Sequence, residues 1–401
     1  MKEGWEYKTL GELALSMADG PFGSNLKKEH YTNRKEVRII QLSNIGEDGW
    51  REDNTKYTSF EHLETIKRSE VEPGDIVIAK MMPAGRAIIC PNNESKYVLS
   101  SDAVRVTLKE DLNNRFILFS INSPYFRKQV YENVSGSGRV RTSLTKLRDC
   151  KIGLPPLSEQ QSIVDYLDSA FAKIDAMKAN AEKRLNEAQA LFQASLKKML
   201  EPKEGWEEKS MKEIVHPDCS LSYGIVQPGE HIDDGVPVVR PVDFNNKVIV
   251  RVEGLKRTKK EISDAYKRTI LKGGEILLCV RGTTGTMGLA SDELQGCNVT
   301  RGIVPIFFDE HANKMFVYYQ LLSPKLQTEI QKKTTGAALK QINIKDLRAL
   351  HLFFPSLSEQ QAIVDTLNSL KSKVDKLQEN YEKISQECDA LKQAILRQVF
   401  E

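Results

Sequence analysis

The phrase LPPLSEQQSIVDYL, whose LSEQQ begins at Leu157, returns as FPSLSEQQAIVDTL, whose LSEQQ begins at Leu357, so Ser158 and Ser358 stand 200 residues apart. A repeat at a fixed period constrains a fold more than any single motif, because both copies must satisfy the same backbone. The same offset lays VEPGDIVIAK at Val71 over LKGGEILLCV at Leu271, and ILFSINSP at Ile117 over VYYQLLSP at Val317. It also lays SGSGRVRTSLTKLRD at Ser135 over TGAALKQINIKDLRA at Thr335, while GWEYKTLGEL at Gly4 matches GWEEKSMKEI at Gly205 with an offset of 201. The 401 residues therefore read as two copies of one unit, each a variable body with a helical tail. The expected boundaries are 1–156 and 202–356 for the bodies, and 157–201 and 357–401 for the tails.

The bodies differ more than the tails do. SMADGPFGSNLKKEHYTNRKEVRIIQLSNI and VHPDCSLSYGIVQPGEHIDDGVPVVRPVDF share a turn-rich opening and a β-rich continuation but few residues, which suggests one scaffold with two surfaces. GDIVIAK, RAIIC and AVRVTLK are β-rich runs bounded by turn residues, and GEILLCV and GIVPIFF repeat the pattern. NNRFILFSINSPYFRKQVYENV then reads as two helical pieces with Pro124 at a helix start, and Pro324 stands likewise in the second copy. Each body is expected to be an α/β or α+β domain.

The tails read as long helices. Ser158 with Gln161, and Ser358 with Gln361, fit a capping box, and Pro155, Pro156 and Pro355 stop helix from propagating backward. In the second tail Ile363, Leu367, Leu370, Val374, Leu377, Tyr381, Ile384, Cys388, Leu391 and Ile395 alternate steps of four and three, the pattern of a coiled-coil seam. The first tail follows with Ile163, Leu167, Ala170, Ile174, Met177, Ala181, Ala188 and Leu191. There Arg184 and Ser195 fall on the stripe, and Leu185, Phe192 and Leu196 sit beside it. A plainer reading packs each helix on its own domain. Against it stands length: about 40 residues make a rod of roughly 60 Å, too long for one small domain to cover. The expected arrangement is an antiparallel two-helix coiled coil joining two tandem domains.

Composition narrows the function classes. Lys and Arg number 58 against 55 Asp and Glu, so attraction to a polyanion must come from local patches. The opening MKEGWEYKTLGEL lacks the apolar core of a signal peptide, and no run approaches the roughly 18 apolar residues of a membrane span, so a cytoplasmic location is expected. Six cysteines without CxxC spacing suggest reduced thiols, and the HPDC stretch, His216 to Cys219, reads as a turn set by Pro217 more readily than as half a metal site.

Two variable bodies, each closed by an LPPLSEQQ-type start and a long helix, resemble the DNA-specificity subunits of Type I restriction-modification systems over essentially the full chain. The resemblance implies that each body is a target-recognition domain reading one half of a split duplex sequence, with the helices as spacer. It implies two modification subunits that carry S-adenosylmethionine and methylate adenine N6, and two restriction subunits driven by ATP and Mg. It implies no cofactor and no catalytic residue in the chain itself. A rival reading is a coiled-coil adaptor whose two domains bind protein.

DNA-contact candidates sit in turn-rich loops with side chains that reach phosphates or base edges. In the first body they are Ser24, Asn25, Lys27 and Lys28, then Lys80 and Arg86, then Arg139, Arg141 and Thr142. In the second they are Arg240, Asn245, Asn246 and Lys247, then Arg281, Thr283, Thr284 and Thr286, then Lys332, Lys333, Lys340, Gln341 and Asn343. Gly85 lies over Gly285 and Gly136 over Gly336, so the loops fall at equivalent repeat positions. SPYF at Ser123 resembles the Pro-aromatic signature of amino-methyltransferases but lacks its second proline, and its counterpart is SPKL, so helix initiation explains both. RGTTGTMG lacks the Gly-Lys-Ser/Thr ending of a P-loop, and the histidines are isolated.

Overall fold

The computed structural model describes residues 2, 4–81, 83–132, 141–244, 249–308, 310–336 and 340–401. The chain divides into two compact units: residues 1–181 with 381–401, and residues 182–380.

In the first unit, strands Ala14–Asp19, Ala103–Leu108, Ile76–Ala79 and Ala87–Ile89 form an antiparallel sheet in that order. A five-stranded sheet beside it contains one parallel pair, Val37–Ile40 with Tyr97–Leu99. The helices Asn114–Asn122 and Pro124–Glu132 cover the four-stranded sheet, and Phe116, Ile117, Phe126 and Val130 go into its core. Pro124 stands at the helix start because its missing N–H would be an orphan there anyway, and the Ser123 hydroxyl accepts the Phe126 N–H at 3.3 Å.

The second unit repeats one hairpin of this sheet to the residue, within a four-stranded sheet of its own order, Ile249–Val250, Met287–Ala290, Ile276–Cys279 and Ile303–Ile306. Ile76, Val77 and Ile78 face Ile89, Ile88 and Ala87, as Ile276, Leu277 and Leu278 face Leu289, Gly288 and Met287. The parallel pair recurs one residue out of register, with Ile39 facing Val98 where Val239 faces Val299. Helices Lys314–Leu322 and Pro324–Lys332 follow, with Ser323 capping the second. Mixed sheet pairing with separate helices makes each domain α+β.

The LSEQQ phrase opens the long helices Leu157–Met199 and Leu357–Phe400. The expected capping box does not form, because the glutamines turn toward the domain. Gln160 accepts the Asn113 N–H at 3.2 Å and donates to the Pro155 carbonyl at 3.0 Å, while Gln161 accepts from the Asn113 side chain at 2.8 Å. Gln360 and Gln361 make the same three bonds to Asn313 and Pro355, at 3.0, 3.0 and 2.8 Å. Asn113 and Asn313 in turn cap the helices that start after them. In the second copy Ser356, not Ser358, supplies the cap oxygen, to Glu359 N at 3.3 Å.

Each unit takes the start of one long helix and the end of the other. In the first unit Val164 and Leu167 join the core with Leu396 and Phe400, and Trp5 meets Phe116 and Phe400 edge-on at 5.9 and 6.2 Å. Asp175 pairs with Lys392 at 2.7 Å and Lys178 with Asp389 at 3.2 Å, so numbers rise on one helix as they fall on the other: the pair is antiparallel. In the second unit Phe192, Leu196 and Leu200 share a core with Ile363, Val364 and Leu367.

The seam departs from the sequence expectation at three positions. Leu167, Ile174, Ile363 and Leu367 are buried, and Ile163, Leu370, Val374, Leu377, Ile384 and Ile395 are half-buried, but Met177, Leu191 and Leu391 are 60%, 59% and 48% exposed. A straight helix drifts by about 20° per heptad against a 3.5-residue repeat. On the first helix the buried line therefore passes to Leu185, Phe192 and Leu196.

Candidate nucleic-acid interface

In the first unit three loops far apart in sequence converge on a cleft of about 970 Å³. Gly20 to Gly23 and Asn25 come from the first loop, Lys80 from the second, and Arg141, Thr142 and Ser143 from the third. The sheet sets this meeting. Gly20 follows directly on the edge strand Ala14–Asp19, and a Cβ there would lie 1.8 Å from the Ser100 carbonyl oxygen, so only glycine allows the chain to pass. Lys80 follows strand Ile76–Ala79, and its carbonyl accepts the Thr142 N–H at 2.9 Å.

The lining is cationic and partly tied down. Lys80 is 5% exposed and paired with Asp19, whose side chain is 45% exposed, so this pair forms a fixed floor. Arg141 lies at the surface, its Nη2 donating to the Ser101 carbonyl at 2.9 Å and standing 3.3 Å from Asp102. The Thr142 hydroxyl is buried and has no hydrogen-bond partner among the described residues. Phe22, 84% exposed, stands at the rim.

The remaining candidates of this body divide. Ser24, Asn25, Lys27 and Lys28 are exposed, Ser24 on Asn25 at 3.1 Å and Lys27 near Glu29 at 3.8 Å. Arg86 is not part of the cleft: its Nε donates to the Pro83 carbonyl at 3.1 Å, and burial pulls its pKa below the usual guanidinium value. Arg139 lies outside the described residues, as do Asn245, Asn246 and Lys247 of the second body.

In the second body Arg281 and Gln341 are brought together by a backbone bridge at the repeat positions of Met81 and Arg141. Thr283, Thr286, Lys332, Lys340 and Asn343 are exposed, and Lys333 leans toward Glu329 at 3.7 Å. Two candidates are bonded within their own domain. Arg240 is clamped by both carboxylate oxygens of Asp243 at 3.1 and 2.7 Å, which raises its pKa. Thr284 is 7% exposed, and its hydroxyl accepts that of Thr334 at 3.3 Å. The Thr284 hydroxyl is thereby taken up within the domain, whereas the Arg240 side chain remains 37% exposed.

Arg68 and Lys146 also line the first cleft, and loop composition alone did not single them out. A signal existed for the first: Lys67-Arg68 recurs as Lys267-Arg268 at the 200-residue offset, each on a short 3-10 turn, inside bodies that otherwise diverge.

The cysteines are all free and buried, and burial pushes the Cys90 and Cys150 thiols up to about 12 and Cys279 to about 11. Cys219 N donates to the His216 carbonyl at 2.7 Å across Pro217, a tight turn. Among the described residues, no group of three His, Cys, Asp or Glu could hold a metal ion, and no helix is long and apolar enough to cross a membrane.

The family model described as Type I restriction modification DNA specificity domain matches twice, over residues 2–187 and 203–386. The Type I restriction enzyme EcoBI specificity subunit of Escherichia coli is 27% identical over 414 residues, covering 96% of this chain and 84% of its own length. The MjaVIII specificity subunit of Methanocaldococcus jannaschii is 23% identical, covering 70% of this chain and 69% of its own. Among solved structures, a chain from work on complex assembly and conformational transition of the type I R-M system superposes with a TM-score of 0.73 at 19% identity, covering 99% of this chain and 97% of that one. The HsdS subunit from Thermoanaerobacter tengcongensis gives 0.52 at 18% identity, covering 100% and 97%. At these identities the two structures speak for the fold.

Proposed function

Because the chain belongs to the family of Type I restriction modification DNA specificity domains, we propose that it is the recognition subunit of such a complex and reads a bipartite duplex target, one half with each domain. It directs adenine-N6 methylation by two modification subunits and, with two restriction subunits, cleavage of unmodified DNA. S-adenosylmethionine, ATP and Mg are bound by those partners; this chain contributes recognition and no chemistry, and works in the cytoplasm.

One observation carries the reading: a single backbone register appears twice with different side chains at the same loop positions. Two readers of unlike half-sites need that combination, a common scaffold to present the loops and separate chemistry at their tips. The cationic cleft of the first domain supports a polyanion as the ligand and speaks against a protein-binding adaptor.

Single-molecule sequencing of DNA from cells expressing the chain with its modification subunit tests this. The expected result is methylated adenine in a two-part target with an invariant gap. A continuous motif, or methylation identical to that of cells lacking this chain, overturns it.

A further inference from the structure

We propose that repeat position 141/341 determines specificity, with Arg141 reading a guanine in one half-site and Gln341 an adenine in the other. The inference rests on the recognition role proposed above and names the bases at one position of each half.

The scaffold treats the two residues alike. Each takes part in an antiparallel bridge, Met81 with Arg141 and Arg281 with Gln341, and Gln341 pairs on its other side with Thr335. The following residue is anchored identically, Thr142 N to the Lys80 carbonyl at 2.9 Å and Ile342 N to the Val280 carbonyl at 3.0 Å. Those flanking side chains point inward: Lys80, Thr142, Val280 and Ile342 are 5%, 3%, 0% and 0% exposed. The backbone at 141 and 341 thus shares these two contacts, and the side chain they present, exposed at Arg141 and half-buried at Gln341, is what differs.

What differs is chemically informative. A guanidinium presents parallel N–H donors that match guanine O6 and N7, whereas a carboxamide offers one donor and one acceptor that match adenine N7 and N6. The Arg141 guanidinium is oriented from one end, its Nη2 donating to the Ser101 carbonyl at 2.9 Å and standing 3.3 Å from Asp102. A charge serving only a phosphate needs no equivalent at the same backbone position in the other domain, and Gln341 carries no charge to offer one.

The test exchanges the two side chains in the full chain, as Arg141→Gln and as Gln341→Arg, each co-expressed with the modification subunit, and maps methylated sites. Arg141→Gln is expected to shift one position of one half-site from guanine toward adenine, and Gln341→Arg one position of the other half from adenine toward guanine. The preference should swing by about tenfold or more, the scale of a bidentate base contact. Unchanged motifs, or changes in both halves at once, overturn the assignment. If a variant leaves no methylated site, competition titration with duplexes substituted at single positions decides. Lost discrimination at one position supports the assignment, and uniform weakening at every position overturns it. Failure of the recognition role itself would be visible earlier, as an unsubstituted chain that yields no bipartite motif.

Discussion

The Gln160 side chain closes a circuit with Asn113: it accepts the Asn113 backbone N–H at 3.2 Å while its own amide donates to the Pro155 carbonyl at 3.0 Å, and Gln360 does the same for Asn313 and Pro355. The repeated phrase thus fastens each long helix to the cap of the helix that covers its sheet. Gln160 and Gln360 are only 4% and 2% exposed, so no water replaces them. Replacing either by Ala leaves a buried N–H and a buried carbonyl unpaired and is expected to cost about 1–3 kcal/mol for each group so stranded. Urea unfolding of Gln160→Ala and Gln360→Ala should show similar losses, with Gln161→Ala, at an exposed site, well below them. Equal effects at 160 and 161 would count against the circuit.

Lys392 gives a pH signature. Its side chain is 11% exposed and bonds Asp175 at 2.7 Å and Asp48 at 3.0 Å; burial lowers its pKa, and the two carboxylates more than offset this, leaving it raised. A raised folded pKa means the stabilisation is fully present below the unfolded lysine value of about 10.4 and is lost as pH rises through the folded value. Lys392→Met should cost about 1.5 kcal/mol, the low end for hydrogen bonds to charged groups, because both carboxylates stay half in water. The gap between wild type and variant in unfolding midpoint should be constant from pH 8 to 10 and narrow above that. A gap independent of pH through 11 would contradict the pairing.

The cleft cations predict a salt dependence. Arg68 and Lys146 line one surface beside Arg141, and if both neutralise phosphates, replacing them by Ala flattens the plot of log affinity against log salt by about 0.9 per contact. Anisotropy titration of duplex DNA at several salt concentrations measures the slope. A slope equal to wild type would remove this cleft from the interface. Arg139 with Arg141 makes a second pair for the same measurement.

The helices predict a ruler. One heptad added to each long helix lengthens it by about 10.5 Å, roughly three base pairs at about 3.4 Å each. Methylation mapping of the doubly lengthened chain should report a target with both halves intact and a longer gap. An unchanged gap would show that the helices do not set it.

The fold was legible because a repeat exposes its own backbone. Ile76 to Ile78 and Ile276 to Leu278 keep their partners only if the strands on either side keep their spacing, and that spacing is visible in the chain. The role of Gln160 was not legible, since its bond to Asn113 spans 47 residues and nothing local marks it. Met177 and Leu191 were misplaced for a different reason: strict heptad counting ignores how a straight helix rotates its stripe. At the site, the equivalence of the loops followed from the repeat, whereas their convergence on one cleft and the clamping of Arg240 by Asp243 needed the folded geometry.

The ring of Phe400 lies against Trp5 and Phe116 at 6.2 and 5.5 Å. During synthesis this sets an order of completion. Residues 182–380 have all been synthesised while the earlier-made unit still lacks Leu396 and Phe400 from its interior. Of the two units, the one begun earlier is the one finished later, and a stop codon shortly before position 396 would injure the unit that holds residues 1–181.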